Sequence, residues 1–197
     1  MPLTLAALAD DAAGCTRCPL AETRTNVVFG TGDPVTDLMF IGEGPGAQED
    51  EQGLPFVGRS GQLLDRLVLE ELGLTRDRVY IANVVKCRPP NNRDPVPDEI
   101  AACRPYLESQ LELIAPKVVV TLGKFAGQLL LASKEGITRL RGRSYPYGGA
   151  VLVPTVHPAY VLRGGAEPMA QMRADLVRAR LALRDAGSPL AEAVPAS

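Results

Sequence analysis

A chain of 197 residues with 46% hydrophobic content can bury one ordinary core, which bounds it to one domain with at most a small appendage. Its net charge of −2 excludes a uniformly basic surface, and no stretch approaches the ~20 uninterrupted apolar residues of a membrane span. The first residues carry Asp10 and Asp11 and no basic leader, so the expectation is a soluble, cytoplasmic protein that meets no membrane.

In chain order, residues 3–13 read as a short helix that leads into Cys15-x-x-Cys18. Residues 37–42 form the first apolar run with strand character, ending in Gly42-Glu43-Gly44-Pro45-Gly46. Residues 58–73 place Leu63, Leu64, Leu67 and Leu72 at helical spacing, with Gly73 as the expected C-cap. The second strand is expected over 79–85, and it runs into Lys86-Cys87-Arg88-Pro89-Pro90. A helix over 97–114 opens on Pro-Asp-Glu and stops before Pro116. A third strand is expected over 117–123, a helix over 124–133, a fourth strand over 150–157 and a closing helix over 169–186. This alternation of apolar strands with amphipathic helices predicts an α/β fold: a single-domain three-layer α/β/α arrangement around a central four-stranded, mainly parallel sheet. The domain is expected over residues 1–186, with 187–197 a disordered Pro/Ala-rich tail.

A parallel sheet places its ligand site outside the C-terminal ends of its strands. Those ends carry Gly42 to Gly46, Asn83, Gly123-Lys124 and His157. Glycines after the first strand let backbone approach a ligand and leave N–H groups free to bind a carbonyl or an anion. His157 is the single histidine and can donate to developing negative charge. The Asn83 amide offers the donor and acceptor needed to read a base edge, and Phe56 is a large ring in a Pro/Gly loop, suited to stacking on a base. Each also has a plain structural reading as a turn, a cap or core.

Four cysteines, Cys15, Cys18, Cys87 and Cys103, form the strongest pattern. A reducing compartment disfavours disulfides, and four thiolates converging on one point suit zinc or an iron–sulfur cluster. Charge is also polarised: residues 1–60 hold three arginines against nine acids, while 134–185 hold nine basic residues against four acids. One face could therefore meet a polyanion even though the net charge argues against it.

Five segments in order carry a resemblance. They are Gly42-Glu43-Gly44-Pro45-Gly46 with Glu49-Asp50, then Pro55-Phe56-Val57-Gly58, then Asn83 to Pro90, then His157-Pro158-Ala159-Tyr160-Val161-Leu162-Arg163, with the four cysteines interleaved. From about Cys15 to Arg184 the chain resembles the family 4 uracil-DNA glycosylases, the iron–sulfur branch of the uracil-DNA glycosylase superfamily. The resemblance implies a monomeric enzyme that flips uracil out of single- or double-stranded DNA and hydrolyses its N-glycosidic bond. It implies a structural [4Fe–4S] cluster on Cys15, Cys18, Cys87 and Cys103. It implies a uracil pocket of Gly42, Glu43, Gly44, Phe56, Asn83 and His157. It implies catalytic roles for His157 and for Glu43 or Glu49, and DNA contacts through Arg88, Arg93, Leu162 and Arg163. In that reading the segment from Tyr160 to Gly165 is a loop that fills the gap left by the flipped base. The family 1 branch has Asp where this chain has Gly44, which leaves the water-positioning group open between Glu43 and Glu49. Three alternatives stand beside this reading: a non-catalytic iron–sulfur DNA-binding protein, a glycosylase with wider damaged-base specificity, and a zinc-bound structural protein.

Overall fold

The computed structural model describes residues 4–193. The chain begins with α1 (Leu5–Ala13) and a single turn α2 (Leu20–Thr23), then passes through β1 (Thr31–Gly32), β2 (Leu38–Gly42), α3 (Ala47–Gln52) and α4 (Arg59–Leu72). It continues through β3 (Tyr80–Asn83), α5 (Pro97–Ile114), β4 (Val118–Leu122), α6 (Lys124–Leu130), α7 (Ile137–Leu140), β5 (Tyr145–Tyr147), β6 (Ala150–Thr155), α8 (Pro158–Gly164) and α9 (Ala166–Asp185). Among the described residues the sheet has six strands in the order β1-β3-β2-β4-β6-β5. The four inner strands are parallel and are the four that apolar patterning predicts. The two edge strands are antiparallel and carry little such signal. β1 has two residues, and β5 is Tyr-Pro-Tyr, with its proline at a sheet edge where no ladder donor is needed.

Successive strand residues point to opposite faces, and each face is buried under helices. On one face Leu38, Phe40, Val118, Val120 and Val153 meet Leu63, Leu64 and Leu67 of α4 and Met172, Leu176, Ala179 and Leu183 of α9. The α9 residues recur at three- and four-residue spacing, the stripe that a helix needs to bury one side. On the other face Met39, Ile41, Ala82 and Val119 meet Leu107 and Ile114 of α5 and Ala126 of α6. The result is the expected three-layer α/β/α arrangement.

Helix ends follow local chemistry. Gly73 closes α4 in the left-handed region at φ 68° and donates its N–H to the Leu69 carbonyl. The final strand stops at Thr155 because His157 turns out of the sheet to cap α8. Tyr160 to Gly164, expected as loop, is therefore helical, and α9 starts at Ala166, three residues before the predicted 169. The expected tail begins as a docked turn: Leu190 is buried in the first core, and the Ser188 hydroxyl donates to Asp37 Oδ2 at 2.7 Å. Residues 194–197 of that tail, and residue 3 of the first predicted helix, lie outside the described residues. No described helix is long and apolar enough to cross a membrane.

Candidate functional site

The C-terminal ends of β2, β3 and β6 open onto a cleft of about 620 Å³. Glu43, Gly44, Glu49, Phe56, Asn83, His157 and Arg163 all line it. The sheet ladder continues past the strands, with Val84 N donating to Gly42 O at 2.9 Å and Val85 N to Glu43 O at 3.0 Å. These bonds hold the Gly42–Glu43 loop against the Asn83 loop.

Gly42 is not in the cleft lining but lies against two residues that are. A Cβ there would lie 2.4 Å from Asn83 Oδ1 and 2.6 Å from Phe56 Cζ, so any side chain would displace both groups. Asn83 is 1% exposed, and its Oδ1 has no hydrogen-bond partner. Buried amide oxygens are nearly always paired, so an orphan facing a cleft marks a place for an incoming donor.

Phe56 adopts φ 52°, a left-handed conformation that costs a bulky residue of order 1 kcal/mol or more. Its surroundings enforce it. Arg76 Nη1 donates to the Phe56 carbonyl at 2.9 Å, Arg76 Nη2 donates to the Pro55 carbonyl, and Asp65 pairs with the same guanidinium at 3.1 Å. Gly61 lets the turn close, since a Cβ there would sit 1.7 Å from the Phe56 oxygen. Glu49 completes the clamp: its Oε1 accepts from Val57 N and Gly58 N, each at 2.9 Å, at the start of α4. That oxygen is thus committed to the loop that carries the ring. The Phe56 ring stands 5.8 Å from the His157 ring, tilted by 33°.

His157 caps α8 by accepting from Ala159 N at its Nδ1, 3.1 Å away. A ring that accepts at Nδ1 must carry its proton on Nε2 when neutral. Burial pushes its pKa down to about 4, the Arg163 charge adds to that shift, and Glu49 opposes it. The imidazole is therefore a neutral donor at physiological pH. Glu43 shifts the other way, to about 7, because burial and then the Asp94 charge disfavour its carboxylate while Lys124 favours it. Asp94 lines the same cleft and pairs with Lys124 at 3.3 Å.

The other expected contacts lie outside the cleft or are already engaged. Leu162 is exposed on α8 next to Arg163. Arg88 donates from Nε to Asn92 Oδ1 at 2.7 Å. Arg93 is held in a two-pronged pair with Glu99 at 2.9 and 2.6 Å, which also caps the start of α5 through Val96 N. Sequence reasoning passes over Gln48 and Asp94 in the cleft, Arg76 behind it and Lys86 beneath it. Of these only Lys86, a charge directly after an apolar run, leaves a signal in the sequence.

On the far side of the β3 loop, Cys15, Cys18, Cys87 and Cys103 line one small cavity together. None is paired in a disulfide. Burial pushes the Cys103 thiol up to about 11, with Lys86 opposing and the Cys87 and Cys18 sulfurs adding to the rise. Two donors point at the sulfurs: Lys86 N to Cys103 at 3.2 Å, and Arg24 Nη1 to Cys87 at 3.5 Å. Among the described residues, no three His, Cys, Asp or Glu side chains are grouped to grip one metal ion. A single zinc with bonds of about 2.3 Å would draw its sulfurs to within about 4 Å of one another. Four thiols around one cavity are the donor set that zinc or an iron–sulfur cluster takes.

The chain matches the family model described as the Uracil DNA glycosylase superfamily over residues 29–179. It is 47% identical over 168 residues to a type-4 uracil-DNA glycosylase of Sulfurisphaera tokodaii, covering 81% of this chain and 76% of that protein. It is 52% identical over 151 residues to a type-4 uracil-DNA glycosylase of Thermotoga maritima, covering 76% of this chain and 78% of that protein. A type-5 uracil-DNA glycosylase of Thermus thermophilus is 32% identical over 149 residues, covering 66% of this chain and 68% of that protein.

Proposed function

The chain belongs to the uracil DNA glycosylase superfamily, in its type-4 branch, and from that premise we propose that the cleft binds uracil flipped out of DNA and hydrolyses its N-glycosidic bond. The observation that carries this reading is the buried, unpaired Asn83 Oδ1 beside the Phe56 ring. Uracil presents an N3–H donor next to an O4 acceptor, which Asn83 Oδ1 and Nδ2 complement. Cytosine presents a bare N3 and an amino group, so both pairings fail and two polar groups are buried unsatisfied. Phe56 stacks on the base, and the clamp of Arg76, Gly61 and Glu49 keeps that ring in place before DNA arrives.

Cleavage of the bond between C1′ and uracil N1 leaves positive charge on the sugar and negative charge on the base. The neutral His157 donates from Nε2 to uracil O2 and stabilises the departing anion, with backbone N–H groups near Gly42 to Gly44 assisting. A water adds its hydroxyl to C1′. Glu43 is the group poised to take its proton, since Glu49 already spends one carboxylate oxygen on the Phe56 loop. Glu49 then acts by positioning the ring and walling the pocket. Single-turnover cleavage should rise with pH through about 7 as Glu43 loses its proton, and Glu43→Gln should flatten that limb and lower the plateau by about 10²-fold. A Glu43→Gln profile that keeps the limb would remove Glu43 as the base.

Leu162 and Arg163, on the exposed rim of α8, enter the gap left by the flipped base, and Arg88 meets a phosphate. The four-cysteine cavity holds a [4Fe–4S] cluster through Cys15, Cys18, Cys87 and Cys103. Bound there, the cluster supplies a covalent cross-link between the N-terminal segment and the loop that follows Asn83. Cys87→Ser should give protein without absorbance near 400 nm and with a melting temperature lower by at least about 5 °C. A colourless variant of full stability and activity would rule out that role. The protein works as a monomer in the cytoplasm on single- and double-stranded DNA.

The direct test is an oligonucleotide with one U·G pair, incubated with the protein in EDTA and then treated with hot alkali, beside T·G and C·G controls. Cleavage at uracil alone is the expected result. Tight DNA binding by a brown protein that cuts at no base would overturn the hydrolytic reading in favour of a binding module.

A further inference from the structure

Lys86 is buried to 1% exposure, yet no reacting group touches it. Its ammonium donates to the Asn83 carbonyl at 2.8 Å and to Gln110 Oε1 at 2.5 Å. It also sits 5.8 Å from the centre of the Phe29 ring. Gln110 is fixed in turn, since its Nε2 donates to the Phe29 carbonyl at 2.9 Å and lies 3.3 Å from the Tyr80 hydroxyl. Both oxygens that hold the ammonium are neutral and no carboxylate among the described residues pairs with it, so the nearby Cys103 sulfur offsets the loss of water around it only in part. A leucine or methionine would fill this space without that cost. The main chain of the same residue points the other way: Lys86 N donates to Cys103 Sγ at 3.2 Å, and Lys86 O accepts from Val28 N at 2.7 Å.

We propose that Lys86 is a positioning residue for uracil recognition: its ammonium pins the main chain of Asn83, so that the unpaired amide keeps its aim into the cleft, and its backbone anchors that chain to the thiol lobe. Two residues separate Asn83 from Lys86, and they lie beyond the end of the strand. Without the ammonium, Asn83 would hold its place by the sheet bonds alone. The inference rests on Asn83 reading uracil, and it extends the reading from the group that touches the base to the group that aims it.

The test uses the full chain with its cluster and two duplexes carrying a 2′-fluorinated, uncleavable nucleotide, one with uracil and one with cytosine, whose bare N3 and amino group Asn83 cannot pair. Fluorescence anisotropy reads affinity for each, and absorbance near 400 nm reads cluster content. Lys86→Met is expected to keep its absorbance and its affinity for the cytosine duplex, while its preference for uracil falls about tenfold. Gln110→Leu leaves the bond to Asn83 and removes the second partner of the ammonium, and should lose a few-fold of the same preference. Where Lys86→Met does not fold, Gln110→Leu decides. Unchanged uracil preference in the folded variants overturns the inference, and so does an equal loss on both duplexes, which would make Lys86 a general support. Equal binding of the two duplexes by the unaltered protein would instead overturn the assignment of Asn83, and the inference with it.

Discussion

Asn83→Ala is expected to lower kcat/KM on a U·G duplex by at least about 10²-fold while leaving the melting temperature unchanged within about 2 °C. The two halves of this expectation have one cause. The Asn83 Oδ1 accepts no hydrogen bond in the protein, so its removal breaks no internal hydrogen bond and relieves a buried unpaired acceptor. Its whole value lies in a partner that arrives with DNA. A structural asparagine behaves in the opposite way, since losing a turn or a cap lowers stability and leaves base choice intact. Thermal unfolding beside single-turnover cleavage separates the two. A variant that melts early yet still prefers uracil over cytosine would refute the reading of Asn83.

Much of this design is legible in the sequence, and the reason is local. The four inner strands are buried on both faces, so their apolar runs stand out without alternation. The rule that sites lie beyond strand C-termini then brings Gly42, Asn83 and His157 to one end of the sheet across more than a hundred residues, and Asn83 and His157 line the cleft there. What sequence does not disclose is which polar atoms are already engaged. Glu49 and Arg93 read as free charges, yet one secures the Phe56 loop and the other the start of α5. Arg76 lies twenty residues from Phe56 in the chain and holds its carbonyl, a contact that no local pattern announces. The helical form of Tyr160 to Gly164 depends on the His157 cap, and Pro158 at its first position fits it, but seven residues are too few for a hydrophobic period to register.

His157→Asn should lower the single-turnover rate on uracil by about 10²–10³-fold with little effect on DNA affinity. Asparagine is chosen because its side-chain oxygen can still accept from Ala159 N, so the start of α8 keeps its cap and the loss reports on catalysis. An alanine variant mixes the two effects, adding about 1 kcal/mol of lost capping. The pH profile distinguishes the donor from the base. His157 has its pKa near 4 in the folded protein, below the 6.5 of a free imidazole, so it stays neutral as pH falls from 7 to 5. Its titration cannot cause a limb near 7, whereas that of Glu43 can. The slowed His157→Asn enzyme should therefore keep the limb near 7 that Glu43→Gln loses. The low histidine pKa also acts on stability. Between about 6.5 and 4 the unfolded chain binds a proton that the folded chain refuses, so this residue lowers stability as pH falls through that window, and His157→Asn should flatten the dependence. If the limb near 7 vanished with His157 and survived the loss of Glu43, the two roles would have to be exchanged.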